Sequence, residues 1–403
     1  LVDSSAQLKI ALRGKVARNA ECATRRIECP KAFARAASND FNGDLAFMKQ
    51  FPAKICLLLI ASVSTTISAA QLQEVASFPH QQLTGVAVSK SGRVFVNFPN
   101  WSDNHTVSVA EVVNGKPKPF PNEEWNKKGA AGSHFVCVQS IYADTEDNLW
   151  ILDPAAPKMQ EIVKGGPKLV KIDLKTNQVV QNIPFGEEIA PKKSYLNDVR
   201  VDTNEAVAFI TDSGLGAIVV VDLKSGKARR LLENHKSVKA EPKMKVVVDG
   251  RELLDQKKNP PEINSDGIAL DAKYDYLYFH ALTARTLYRI KTIYLKDPNL
   301  SNEDIEPKVE AVIQTHAPDG MLEAPDGSVY LTNIEDNAIV RFDSITNKIE
   351  NVIQDKRLSW PDTMSWGPHD EIYVTASQIQ NMPRFNNGKD VHVDPYKLFK
   401  VTK

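Results

Sequence analysis

Asp266, Asp319 and Asp362 head three similar stretches of the chain, SDGIALD (265–271), PDGMLEA (318–324) and PDTMSWG (361–367). Carboxylates gathered in one place can hold a cation, share a proton, or supply a base to a substrate. Any of these requires the fold to bring distant parts of the chain together. Taken singly, each Asp also has a plain structural explanation, because Asp before a small residue at a strand entry caps its own backbone. Three converging carboxylates would be another matter, since like charges a few ångströms apart repel unless a cation or a proton intervenes.

The same cadence occurs three more times, as LTGVAVS (83–89), VQSIYAD (138–144) and LNDVRVD (196–202). Aligning all six gives a polar column of Thr84, Gln139, Asn197, Asp266, Asp319 and Asp362, followed by mostly small residues: Gly85, Ser140, Asp198, Gly267, Gly320 and Thr363. Eleven or twelve residues after the column stands an aromatic: Phe95, Trp150, Phe209, Tyr278, Tyr330 and Tyr373. That spacing fits a strand, a tight hairpin and a second strand, with turn signals such as Ser91-Gly92 and Asp326-Gly327 between them.

The elements that must position this column follow from the remaining alternation. Segments 217–222, 286–290, 338–343 and 397–401 read as third strands, and 228–233, 309–314 and 349–354 as outer fourth strands. Six four-stranded units in series predict an all-β fold, a six-bladed β-propeller. A β-sandwich would also show short strands, but it has no need of a polar column ahead of every second hairpin. In a propeller the first strands line a central channel, so the column is expected at its mouth. The last unit lacks an outer strand, and LQEVASF (72–78) is expected to supply it and close the ring. Longer insertions occupy 111–135 and 234–262. The second-strand aromatics are expected in the core between blades.

Fifty basic residues balance fifty acidic ones, so the charge favours neither a nucleic-acid nor an anionic-membrane partner. Residues 48–70, MKQFPAKICLLLIASVSTTISAA, have the basic start, short apolar run and small residues of a secretory signal peptide. The apolar run is shorter than the roughly 20 residues a membrane span needs. The expected layout is therefore an upstream segment 1–47 outside the native protein, a signal peptide 48–70, and one propeller domain 71–403. The expected location is secreted or periplasmic, with no membrane anchor after cleavage. Of four cysteines only Cys137 lies beyond the signal, so no internal disulfide is expected.

The motifs LNDVRVD, AFITDSGLGAIVVVDL, NSDGIALD, LYFHALTARTLYRI, WPDTMSWG and IYVTASQI resemble the major royal jelly/yellow protein family, particularly its bacterial members, as does FVCVQSIYADTEDNLWILD. The resemblance spans nearly all of 72–403 and implies a six-bladed propeller. It implies roles as varied as binding of small molecules such as biogenic amines and dopachrome conversion. In blade order the chain is also similar, more distantly, to the gluconolactonase/senescence-marker propellers. That similarity implies a divalent cation, Ca²⁺ or Zn²⁺, held by Asn197 and Asp266, with Asp266 as base. Thr84 stands where the first-blade Glu ligand of that family is expected.

Two functions follow as expectations. One is binding of a small organic ligand or substrate through Thr84, Gln139, Asn197, Asp266, Asp319 and Asp362. The other is a metal-dependent lactonase, or a related hydrolase or isomerase. His134, Thr211, His280, Asn333 and Ser377 are further candidates for ligand contact. No H-E-x-x-H, G-x-S-x-G, G-x-x-x-x-G-K-[ST] or C-x-x-C occurs, which leaves zinc-protease, serine-triad and nucleotide chemistry without support.

Overall fold

The computed structural model describes residues 70–402; the expected upstream segment and almost all of the expected signal lie outside the described residues. Six four-stranded antiparallel sheets follow one another as the blades of a propeller. Blade three shows the plan: Leu196–Asp202, Val207–Asp212, Ala217–Asp222 and Ala228–Leu231, paired in that order. Blade six combines Pro361–Trp366, Ile372–Ala376 and Tyr396–Thr402 with Gln71–Phe78 as its outer strand. The last two pair antiparallel, with Phe78 opposite Tyr396. The first and last strands of the described chain therefore share one sheet.

Burial falls from the axis outwards, and the composition of the strands follows it. Every residue of the innermost strand Leu196–Asp202 is buried, whereas the outer strand Gln178–Pro184 has a single buried residue. Apolar side chains fill the six seams between adjacent blades. In the seam between blades one and two, Phe95 and Val109 pack on Ile141, Leu149 and Ile151. Between blades three and four, Phe209 and Ile218 pack on Ile268 and Phe279. The second-strand aromatics take the expected core positions, with Phe95, Trp150 and Phe209 at most 1 % exposed. Truncating such a ring to Ala costs about 3–5 kcal/mol.

A seventh cluster comes from the loops. Met244, Val246, Val248 and Leu253 of the long insertion pack against Trp101, Leu282, Trp360, Ile379 and Phe385. A buried ion pair fixes the other insertion where it enters blade two. Lys168 Nζ donates to Asp153 Oδ2 at 2.8 Å and to the carbonyls of Ala131 and Gly166, both at 2.9 Å. Asp153 in turn accepts from the backbone N–H groups of Val136 (2.8 Å), Cys137 (3.0 Å) and Ala155 (2.9 Å). With every polar partner satisfied, this pair holds the segment that ends at Gln139.

Candidate functional site

The polar column owes its direction to a local break in strand pairing. In blades three, four and six the register of the inner hairpin shifts between Leu196 and Val199, Ser265 and Ile268, and Pro361 and Met364. Each shift is a bulge at the column residue and its successor, and a bulge re-aims the side chain it carries. Threonines of the second strands occupy the amides thus freed. Thr211 Oγ1 accepts from the N–H of Asp198 at 3.0 Å, and Thr375 Oγ1 accepts from that of Thr363 at 3.1 Å. In blade five Thr332 Oγ1 accepts from both Asp319 (3.0 Å) and Gly320 (3.1 Å). The same hydroxyls link neighbouring blades: Thr211 donates to the Asp266 carbonyl at 2.7 Å and Thr375 to the Thr84 carbonyl at 2.6 Å.

Close approach of backbones also explains the glycine after the acid in two blades. A Cβ on Gly267 would lie 2.4 Å from the Asp319 carbonyl oxygen, and one on Gly320 would lie 2.0 Å from that of Asp362. Neither position has room for a side chain.

Gln139, Asn197, Asp266, Asp319 and Asp362 line one cavity of about 630 Å³ at the channel mouth. Trp101, Tyr195, Trp360 and Ile379 form its apolar wall, and Arg384 faces in from the loop before the last strand. Hydrogen bonds orient the set. The Trp360 indole donates to Asp319 Oδ2 at 2.6 Å, the Thr363 hydroxyl to Asp362 Oδ1 at 3.0 Å, and the Asn197 amide to Asp266 Oδ1. A relay runs from the Trp101 indole to the Tyr195 hydroxyl (2.8 Å) and on to Gln139 Oε1 (2.9 Å).

Burial and mutual repulsion dominate the electrostatics. Burial raises Asp266 well above the usual carboxylate range, and the charges of Asp319, Asp198 and Asp362 add to the effect. Asp362 is raised for the same reasons, with Asp319 and Asp198 as its charged neighbours. Asp319 is pushed up to about 7 by burial and Asp198, against the lowering influence of the Trp360 hydrogen bond and Arg384. Burial lowers Arg384 to about 10. Near neutral pH the mouth thus holds carboxyl groups that keep part of their protons and gain from any added positive charge.

These motifs recur in known proteins. The major royal jelly protein family matches over residues 136–393. The chain belongs to the major royal jelly protein family. No curated protein matches the sequence. Among solved structures, a luciferin-regenerating enzyme is similar at 10 % identity, covering 83 % of this chain and 96 % of its own, with a TM-score of 0.51. A gluconolactonase from Xanthomonas campestris covers 82 % of this chain and 89 % of its own at 10 % identity and a TM-score of 0.47. Regucalcin, a calcium-binding protein from Agrobacterium tumefaciens, covers 81 % and 93 % at 13 % identity and 0.48. At such identities the likeness is one of fold.

This royal jelly family propeller departs from the ligand set that the lactonase resemblance implies. Thr84 does not line the cavity. Its hydroxyl donates to the Gln139 carbonyl at 3.0 Å and accepts from the Asn97 amide at 2.9 Å, so it ties blade one to blade two. The Asn197 amide nitrogen donates to Asp266 Oδ1. Of the three ligands that the resemblance implies, the mouth keeps Asn197 and Asp266, and Thr84 leaves the anionic first-blade position unfilled.

Other candidates are placed elsewhere too. His280 is buried, with Nδ1 at the Ala281 carbonyl (2.6 Å) and Nε2 at the Thr315 hydroxyl (2.8 Å). His134 lies near Glu124, and Asn333 donates to Asp336 at 2.8 Å; neither lines the cavity. Thr211 serves the inter-blade link, and Ser377 sits buried beside Asp362. Arg384 and Trp101 were not legible as site residues, because they reach the mouth from loops outside the repeat; Tyr195 and Trp360 each stand two residues before a column residue, at a repeat position whose other members, Gln82, Cys137, Asn264 and Ala317, share no residue type. Asp198 was legible only as a member of the position after the column. Its charge acts on Asp266, Asp319 and Asp362.

Proposed function

We propose that this propeller is an exported protein whose channel mouth binds a small organic cation, with an ammonium group seated against Asp266, Asp319 and Asp362. The observation that carries this reading is the imbalance of charge deep in the cavity: three buried carboxyl groups meet Arg384 inside an aromatic wall, while Lys192, Lys193, Glu161 and Glu262 lie exposed at the rim. A positive ligand relieves the repulsion among the acids. The rings of Trp101, Tyr195 and Trp360 favour a cation with an apolar body, and about 630 Å³ suits a ligand of modest size. Export enters through residues 48–70, and protein recovered from outside the cytoplasm should begin near Gln71.

Calorimetry with phenethylamine, and with neutral 2-phenylethanol as control, tests the binding reading. The amine should bind and the alcohol should not, and Asp266→Asn with Asp319→Asn should weaken the amine at least tenfold. Because binding favours the ionised acids, protons should be released. The apparent enthalpy at pH 7 should then change with the ionisation enthalpy of the buffer. Equal affinity for amine and alcohol would refute the charge argument. Turnover of a lactone that requires added Ca²⁺, Zn²⁺ or Mn²⁺ and disappears in Asp266→Asn would make the protein an enzyme of the lactonase type.

A further inference from the structure

Blade six carries a second cluster, away from the polar column. His80 follows the outer strand Gln71–Phe78, and His392 and Asp394 precede the strand Tyr396–Thr402 with which it pairs. One ligand atom from each of His80, His392 and Asp394 lies within 4.8 Å of the other two, and among the described residues this is the one such group of three His, Cys, Asp or Glu side chains. His80 Nδ1 contacts Asp394 Oδ2, and the His80 N–H donates to Asp394 Oδ1 at 2.8 Å. His392 Nε2 stands 3.3 Å from Asp394 Oδ1.

The surroundings of His392 indicate what belongs between these groups. Its Nδ1 lies 2.7 Å from Asp390 Oδ1, and its ring stacks on Tyr396 at 5.0 Å and 15°. An Nδ1–H donated to Asp390 leaves the lone pair on Nε2, which then points at the anionic Asp394. Two electron-rich atoms face each other there unless a metal ion or a second proton on the ring sits between them. A carboxylate on the far nitrogen of a histidine is the arrangement that orients imidazole ligands and raises their basicity at metal centres. Two imidazole nitrogens and a carboxylate form a borderline donor set suited to Zn²⁺, with an open position for water.

We propose that His80, His392 and Asp394 form a Zn²⁺ site that clasps the two strands of blade six, with Asp390 positioning His392. His80 and Asp394 are 314 positions apart in sequence, so a shared ion ties down a long chain closure at the seam where the ring ends meet.

Native mass spectrometry and calorimetry on the purified, chelator-treated protein titrated with Zn²⁺ test this. One ion per chain should bind and raise the melting temperature by about 5 °C at a hundredfold excess over Kd. Affinity should fall at least 100-fold in His392→Ala and in Asp394→Asn, and about 10- to 100-fold in Asp390→Asn. The Asp266→Asn/Asp319→Asn double variant should bind as the native protein does, which separates this site from the channel mouth. The His80 side chain is 72 % exposed, so His80→Ala should fold normally and still alter the visible spectrum of the Co²⁺-substituted protein. Failure of the native protein to bind Zn²⁺ would refute the site, leaving a protonated histidine as the partner of Asp394. Undiminished binding by a His80→Ala/His392→Ala double variant would equally overturn it.

Discussion

The two ends of the central channel are built from the same inner strands, yet they treat buried charge in opposite ways. At the far end a smaller cavity of about 360 Å³ is lined by Tyr142, Arg200, Glu323 and Trp366. Arg200 donates to the Met321 carbonyl at 2.6 Å and to that of Val199 at 2.8 Å, lies 5.1 Å over the Tyr142 ring, and approaches Glu323 to 3.9 Å. Glu323 meets Arg200 there and Asp144 lines the same cavity as Lys90; two backbone carbonyls take guanidinium N–H groups of Arg200, while its Nε and Glu323 Oε2 have no hydrogen-bond partner. At the mouth the buried Asp266, Asp319 and Asp362 face Arg384, and the other charged lining residues, Lys192, Lys193, Glu161 and Glu262, are exposed at the rim. Where charge only has to be accommodated, the fold balances it. At the mouth, where the proposed ligand would sit, the imbalance is kept at a cost in stability.

The largest expected effect breaks the balanced end. Arg200→Met leaves Glu323 buried without its cation and should destabilise the protein by about 3–5 kcal/mol in urea unfolding. Adding Glu323→Gln should recover much of that loss. If Arg200→Met unfolds at the native urea concentration, the pairing at this end has no structural weight.

A smaller effect of opposite sign belongs to the mouth. Asp319 ordinarily titrates near 4 when exposed, whereas the folded protein pushes it up to about 7. Below pH 4 both folded and unfolded states hold the proton and no penalty exists. As pH rises from about 4 to about 7 the unfolded chain loses its proton first, so native stability declines through that window and then levels off. Asp319→Asn removes this decline. It should stabilise the protein by roughly 2–3 kcal/mol at pH 7 and by little at pH 4. A melting-temperature difference that stays constant between those pH values would contradict the raised titration.

The smallest effect sharpens the account of the mouth. Trp360 donates to Asp319 at 2.6 Å and thereby opposes the upward shift. Trp360→Phe keeps most of the packing but deletes the donor, a change of about 1.5 kcal/mol for a bond to a charged group. The midpoint of the pH-dependent decline should move upwards by about one unit. An unmoved midpoint would mean that the indole contributes packing alone.

Much of the fold could be read from local pattern. The expected third strand at 338–343 is Ala338–Asp343, and the outer strand at 349–354 is Lys348–Gln354, one residue longer. Both were legible because alternation of buried and exposed side chains is a property of consecutive residues. Five of the six column residues line the cavity for the same reason: each has the same place in its own repeat. Thr84 does not, because its hydroxyl found a partner in the next blade, the Gln139 carbonyl, and no single repeat shows its neighbour.

By itself, then, the sequence determined the repeat: strand order, blade number, the polar column and the aromatic core positions, all set by short-range periodicity and turn chemistry. Tertiary structure decided the chemistry of the mouth. Whether a carboxyl keeps its proton depends on burial and on charges from other blades, as Asp198 acts on Asp266. Which rings wall the cavity depends on loops that leave the repeat, such as those carrying Trp101 and Arg384. Only ring formation puts these groups within ångströms of one another, and electrostatic energies depend on that distance through space.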